Sequence, residues 1–123
     1  MKVKILAIAL LILTASTVAL NTFFLTKKIE QVTTDVQSLT LDAPAREAQA
    51  AAAKSFDNFK REENYLSLTV NHNDLSDIEG LYSEMLAYLA VEDIDGAKVA
   101  KSRLIDALSH LKRLSGINIS SIF

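Results

Sequence analysis

A chain of 123 residues holds one domain at most, and the lack of cysteine excludes disulfides, thiolate-bound zinc, iron–sulfur clusters, a thiol nucleophile and a lipoprotein anchor. Three glycines and one proline are too few for a glycine-rich phosphate loop or for the many turns of a β-sandwich, so an all-α fold is expected. The net charge of −2 conceals an asymmetry: Lys2, Lys4, Lys27 and Lys28 flank the first apolar stretch, which leaves nine basic against fifteen acidic residues over 29–123, a net of −6 that disfavours nucleic acid as a partner.

From Ile5 to Leu25 the chain runs 21 residues without a charge, and about 20 apolar residues cross a hydrocarbon core as a helix. The segment reads as a retained signal-anchor, because apolar character resumes at Leu20, Phe23, Phe24 and Leu25. A secretory signal cleaved near Ala19, after the small residues Ala15, Ser16 and Thr17, is the alternative, and either reading exports the rest of the chain. A short head carrying two lysines sets the orientation: residues 1–4 cytoplasmic, 5–25 spanning, and the remainder extracytoplasmic.

After Lys28, the residues Ile29, Val32, Val36 and Leu39 recur at steps of three and four. Residues 26–41 are therefore expected to form a juxtamembrane amphipathic stalk. Its stripe packs either on the chain's own domain, which is the preferred reading, or on a second copy. Asp42 and Pro44 mark a helix start and open an extracytoplasmic domain over 42–123. The next helix is expected to continue to Val70, with Phe56, Phe59, Leu66 and Val70 on one face and the run Ala50 to Ala53 admitting a close neighbour.

The polar residues Asn71, His72, Asn73 and Asp74 interrupt this helix, and the apolar stripe resumes at Leu75, Ile78, Tyr82, Met85 and Leu89. Ser76 and Glu79 fit a capping box there. Residues 92–96 turn the chain, Asp95 is the expected cap, and Ala97, Ala100, Leu104, Leu108 and Leu111 form the buried face of a last helix, widened by Val99 and Ile105. So short a connection makes the last two helices an antiparallel hairpin, with Leu89 and Leu104 buried on facing sides. Gly116 is the expected left-handed C-cap, succeeded by an apolar tail of Ile117, Ile119, Ile122 and Phe123.

Chemistry-bearing patterns are sparse. Asp106 and His110 share one helix face, but a zinc site takes three or four ligands. Asp93, Asp95 and Gly96 lack the glutamate that a calcium loop requires six residues on, since position 102 is Ser102. No serine stands in a nucleophile motif. No catalytic residue, metal site or cofactor is assigned. The polar junction of Asn71, His72 and Asp74 is the one candidate site for a ligand or partner, with a structural role for His72 as the simpler reading.

The segments LSLTVNHNDLSDIE (Leu66 to Glu79) and AYLAVEDIDGAKVAKSRLIDALSHLKRL (Ala87 to Leu114), with the ending INISSIF, resemble the domain-of-unknown-function family numbered 4363. Its members are small single-pass membrane proteins of spore-forming Gram-positive bacteria. His72, Leu75, Asp77 and Ile78 match its His-containing run, Tyr88 through Leu111 its helical hairpin, and Ile122 and Phe123 its ending. Ser121 stands where the family's terminal Asn is expected, Gly116 replaces a charged neighbourhood, and the tryptophans before Leu66 are absent. The resemblance implies a cell-membrane location and this layout, and brings no activity. The expected function is a non-enzymatic envelope module that engages a protein partner or itself. The alternative is an extracytoplasmic sensor binding a small ligand or metal near His72.

Overall fold

The computed structural model describes the backbone of residues 2–68 and 70–122, and side chains as far as residue 114. Four α-helices make up this structure: α1 (Lys2–Gln37), α2 (Ala45–Leu66), α3 (His72–Ala90) and α4 (Ile94–Ile122). No strand occurs among the described residues, and the all-α expectation holds.

Side-chain contacts fix the direction of every helix. Between the α1 side and α4 they pair Asp42 with Lys98, Leu39 with Lys101, and Glu30 with Lys112, stepping backward along one as they step forward along the other. The same reversal runs through Lys28–Glu62 and Asn21–Tyr65 for α1 and α2, Gln49–Leu89 and Ser55–Tyr82 for α2 and α3, and Glu84–Arg103 beside Tyr88–Gly96 for α3 and α4. Each helix packs on the next and α4 closes on α1, while no Cα atoms of the diagonal pairs α1/α3 and α2/α4 approach within 8 Å among the described residues. This is an up-down-up-down four-helix bundle. The α1–α2 and α3–α4 turns lie at one end, and the α2–α3 turn lies at the other.

The bundle forms because each helix carries one apolar stripe at helical spacing. α3 buries Leu75, Ile78, Tyr82, Met85 and Leu89, and α4 buries Ala97, Ala100, Leu104, Leu108 and Leu111, as the sequence pattern predicts. Leu25, Ile29, Val32 and Val36 bring α1 into the same core, with Leu39 and Leu41 closing its distal end. The stripe at 29–39 thus packs on its own domain. Residues 26–41, expected as a stalk outside a domain at 42–123, form the first wall of the bundle. The α3–α4 hairpin alone would leave that side of the core in water.

The face of α2 differs from expectation. It is built from Ala48, Ala52, Ser55, Phe59 and Leu66, whereas Phe56 is half-buried and Val70 lies beyond the helix end. Of the alanine run only Ala52 reaches the core. Ser55 is its one polar member, and its hydroxyl lies 2.9 Å from the Tyr82 hydroxyl, so each satisfies the other inside the bundle. The Tyr82 ring stacks on Phe56 at 5.0 Å and lies 5.6 Å from Phe59. Burial pushes its phenol up to about 12, against the weaker lowering effect of the Ser55 hydrogen bond. Removing one hydroxyl of such a pair costs about 1–3 kcal/mol, because the other is left buried and unpaired.

Several expected caps are replaced. Pro44, not Asp42, occupies the N-cap of α2, with no side-chain hydrogen bond; Asp42 instead pairs with Lys98 at 2.8 Å and raises the lysine's pKa. Asn71 caps α3 in place of the Ser76 capping box, since the helix begins at His72, three residues before the apolar stripe. At α4, Asp93 and not Asp95 accepts from the Gly96 amide, at 3.0 Å. The cause is Glu92, whose φ of 59° ends α3 and sets Asp93 at the entry to α4. Val99 is 58% exposed and does not widen the buried face of α4, whereas Ile105 packs on the core. Gly116 is no C-cap, for α4 runs on to Ile122; a glycine costs a helix only about 1 kcal/mol, and no proline comes after it to stop the helix. The side chains of the apolar tail, Ile117, Ile119, Ile122 and Phe123, lie outside the described ones.

Candidate functional site

The junction of α2 and α3 assembles from local rules. After Leu66 the chain turns through Ser67 and Leu68, with the Val70 amide donating to the Leu66 carbonyl at 2.8 Å. Asn71 is extended (φ −60°, ψ 132°), and its side-chain oxygen accepts from the Asn73 amide at 2.9 Å. Asn71 thereby satisfies one of the amides that a helix start leaves without a partner. His72 is the first helical residue and is exposed; Asp74, in the first turn, is half-buried and stands near the positive end of the helix dipole. Helix initiation accounts for the place of all three residues.

Glu63 on α2 and Glu79 on α3 meet beside this junction, and the sequence pattern did not single out that pair. Hydrogen bonding of the Glu63 carboxyl to Glu79 is the largest cause holding it above its ordinary value, with desolvation and then repulsion from Glu79 adding to it. The charges of His72 and Lys60 act in the opposite direction. His72 therefore stands near enough to Glu63, across the α2–α3 seam, for its charge to act on that carboxyl, a relation only the folded chain creates. Among the described residues no three His, Cys, Asp or Glu side chains converge on a point where a metal ion would bind. Asp106 and His110 are both exposed on α4.

Three surface grooves lie elsewhere. A groove of about 490 Å³ runs along the α1–α2 seam between Lys28, Asp35, Asn58 and Arg61, and one of about 450 Å³ continues it distally past Glu47 and Lys54. A third, of about 460 Å³, lies between the α1–α2 turn and α4. Asn71, His72 and Asp74 line none of these three. Every buried side-chain nitrogen and oxygen among the described residues has a hydrogen-bond partner, so the core offers no spare polar group to a ligand.

The other unusual surface is α1. Leu6, Leu10, Leu13 and Leu20 are exposed along its N-terminal half, and Phe23 and Phe24 remain exposed where its opposite side enters the bundle at Thr22 and Leu25. The helix is long and apolar enough to cross a membrane, and none of its most apolar 18-residue window is buried. At its base Lys28 lies 5.2 Å from the centre of the Tyr65 ring while pairing with Glu62, and Lys27 lies 5.8 Å from the centre of the Phe23 ring. Compared with known proteins, the chain matches no protein-family model, no curated protein and no solved structure.

Proposed function

We propose that the chain is a single-pass membrane protein of the bacterial envelope, with its N-terminus in the cytoplasm and its bundle outside, acting as a non-enzymatic docking module for another envelope protein. One observation carries this reading: a single continuous helix, α1, has an uncovered apolar half and a half that is a wall of the bundle. A helix without a break between anchor and domain holds the bundle at a fixed height and angle to the membrane. That geometry suits a protein that positions a partner. The resemblance to family 4363 points to the same location, and the fully partnered core leaves binding to the outer surface.

Two measurements test the proposal on the full-length chain. Carbonate washing leaves the protein in the membrane pellet with residues 1–25 intact; a mature N-terminus near Leu20 would show a cleaved signal instead. A photo-crosslinker at Val99, an exposed apolar residue on α4, yields one discrete adduct in cells. That adduct disappears when Arg103, one turn further along the same helix, is changed to Glu. A mass of twice the chain would identify self-association, and the absence of any adduct from Val99 and Val91 would remove the docking role.

A further inference from the structure

We propose that the base of the bundle is a second membrane contact: the α2–α3 turn inserts Leu68 into the lipid interface beside α1. The bundle is then seated on the bilayer at two points. This inference rests on the reading of α1 as a membrane anchor.

Leu68 is 81% exposed, more than any other large apolar residue described, including Val3 of α1 at 78%. A lone exposed leucine is ordinary on a protein surface. Its position here is what matters. α2 runs antiparallel to α1, and the Tyr65 hydroxyl donates to the Asn21 side-chain oxygen at 3.2 Å. Three residues beyond Tyr65, at about 1.5 Å each, put Leu68 about 4–5 Å further toward the N-terminal half of α1. That is the level of residues 18–21, inside the uncharged run of Ile5 to Leu25.

The length of that run forces the two levels together. Only 16 residues separate Lys4 from Asn21, whereas a hydrocarbon core of about 30 Å takes about 20. The spanning portion therefore extends into Thr22–Leu25, where the bundle has already begun to pack. No spacer is left between membrane and bundle, and the end of α2 shares the depth of the end of the anchor. Phe23, Phe24 and Tyr65 with Lys27 and Lys28 beside them form the mixed aromatic and cationic belt that membrane–water interfaces favour. The net negative charge of residues 29–123 opposes adsorption by charge, so the second contact is made by apolar insertion.

The absence of cysteine makes the test clean. Leu68→Cys, Leu11→Cys and Val91→Cys are introduced singly into the full-length chain, labelled with an environment-sensitive nitrobenzoxadiazole probe, and reconstituted in phosphatidylcholine–phosphatidylglycerol vesicles with or without lipid bearing a nitroxide near the headgroup. Leu11 reports the anchor and Val91 the distal turn, and unchanged far-ultraviolet circular dichroism confirms folding of each variant. The expected result is blue-shifted emission and at least a two-fold loss of fluorescence to nitroxide lipid at Leu68, with none at Val91. If Leu11 enters lipid and Leu68 behaves like Val91, the second contact is refuted and the anchor stands. If neither Leu11 nor Leu68 enters lipid, the anchor reading falls and this inference falls with it.

Discussion

A methyl group added at Gly80 meets nothing within 4 Å, whereas one added at Gly96 would lie 2.5 Å from the Tyr88 ring and 2.7 Å from the Asp93 carboxylate. Gly80 stands in the middle of α3, where its missing side chain only adds backbone freedom to the unfolded chain. Gly80→Ala should therefore stabilise the bundle by about 0.5–1 kcal/mol. At Gly96 the start of α4 packs directly under the Tyr88 ring of α3, and the carboxylate a methyl group would strike is the one capping α4. Gly96→Ala should cost about 1–3 kcal/mol through displacement of the Tyr88 ring and loss of that cap. Urea denaturation of the two variants beside the parent checks both signs; a stabilised Gly96→Ala would show that the hairpin has slack which the contact distances deny. The same turn requires strain in the Glu92 backbone: a left-handed residue without glycine, placed so that the Asp93 amide reaches the Tyr88 carbonyl at 2.8 Å.

At the scale of the helix, the key element is α1, since its residues 22–36 are a wall of the core and its residues 2–20 contribute no buried side chain to it. A chain beginning at Leu20 should fold as the complete bundle, with cooperative melting and full helicity for its length. One beginning at Ile29 loses Leu25 and the Asn21–Tyr65 and Lys28–Glu62 contacts. It should melt earlier, by the about 1.5–3 kcal/mol that one buried leucine carries together with smaller polar contributions. Equal melting of the two fragments would mean that the α1 wall ends further along than its burial indicates. The stripes of α3 and α4 were legible in the sequence because large apolar residues at steps of three and four line up on one helix face that must leave water. The face of α2 was not, because buried Ala48 and Ala52 carry the same side chain as Ala50, Ala51 and Ala53, which stay out of the core. The caps were misassigned for a related reason: Asp93 and Asp95, or Asn71 and Ser76, have similar capping chemistry, and the turn geometry chooses between them. Whether the stripe at 29–39 would face its own domain or a second copy was likewise a question about distant residues. Only the return of α4 to α1 answers it. At the candidate junction the sequence picked out Asn71, His72 and Asp74 by their polarity, yet the acidic pair of Glu63 and Glu79 beside them joins two different helices and leaves no local signature.

For the molecule as a whole, that pair makes stability depend on pH at one end of the bundle. The Glu63 carboxyl is raised above its ordinary 4.5 mainly by hydrogen bonding to Glu79, then by desolvation and repulsion, so the folded chain holds this proton more tightly than the unfolded one. Linkage fixes the sign. Below pH 4.5 the proton is held in folded and unfolded chains alike, and the bond contributes in full. As pH climbs past 4.5 the unfolded chain releases its proton first. The contribution then declines and is lost once the folded carboxyl also ionises, leaving two carboxylates opposed across the α2–α3 seam with only the charges of His72 and Lys60 to offset them. Since both carboxyls are only half-buried and solvent screens them, the whole effect should stay under about 1 kcal/mol. Glu63→Gln supplies an amide donor that needs no proton and should flatten this part of the profile. The measurement is the difference in urea midpoint between variant and parent from about pH 4 to 7, which should move in favour of glutamine as pH rises. A difference constant across that range would show that the two carboxyls do not interact through a proton.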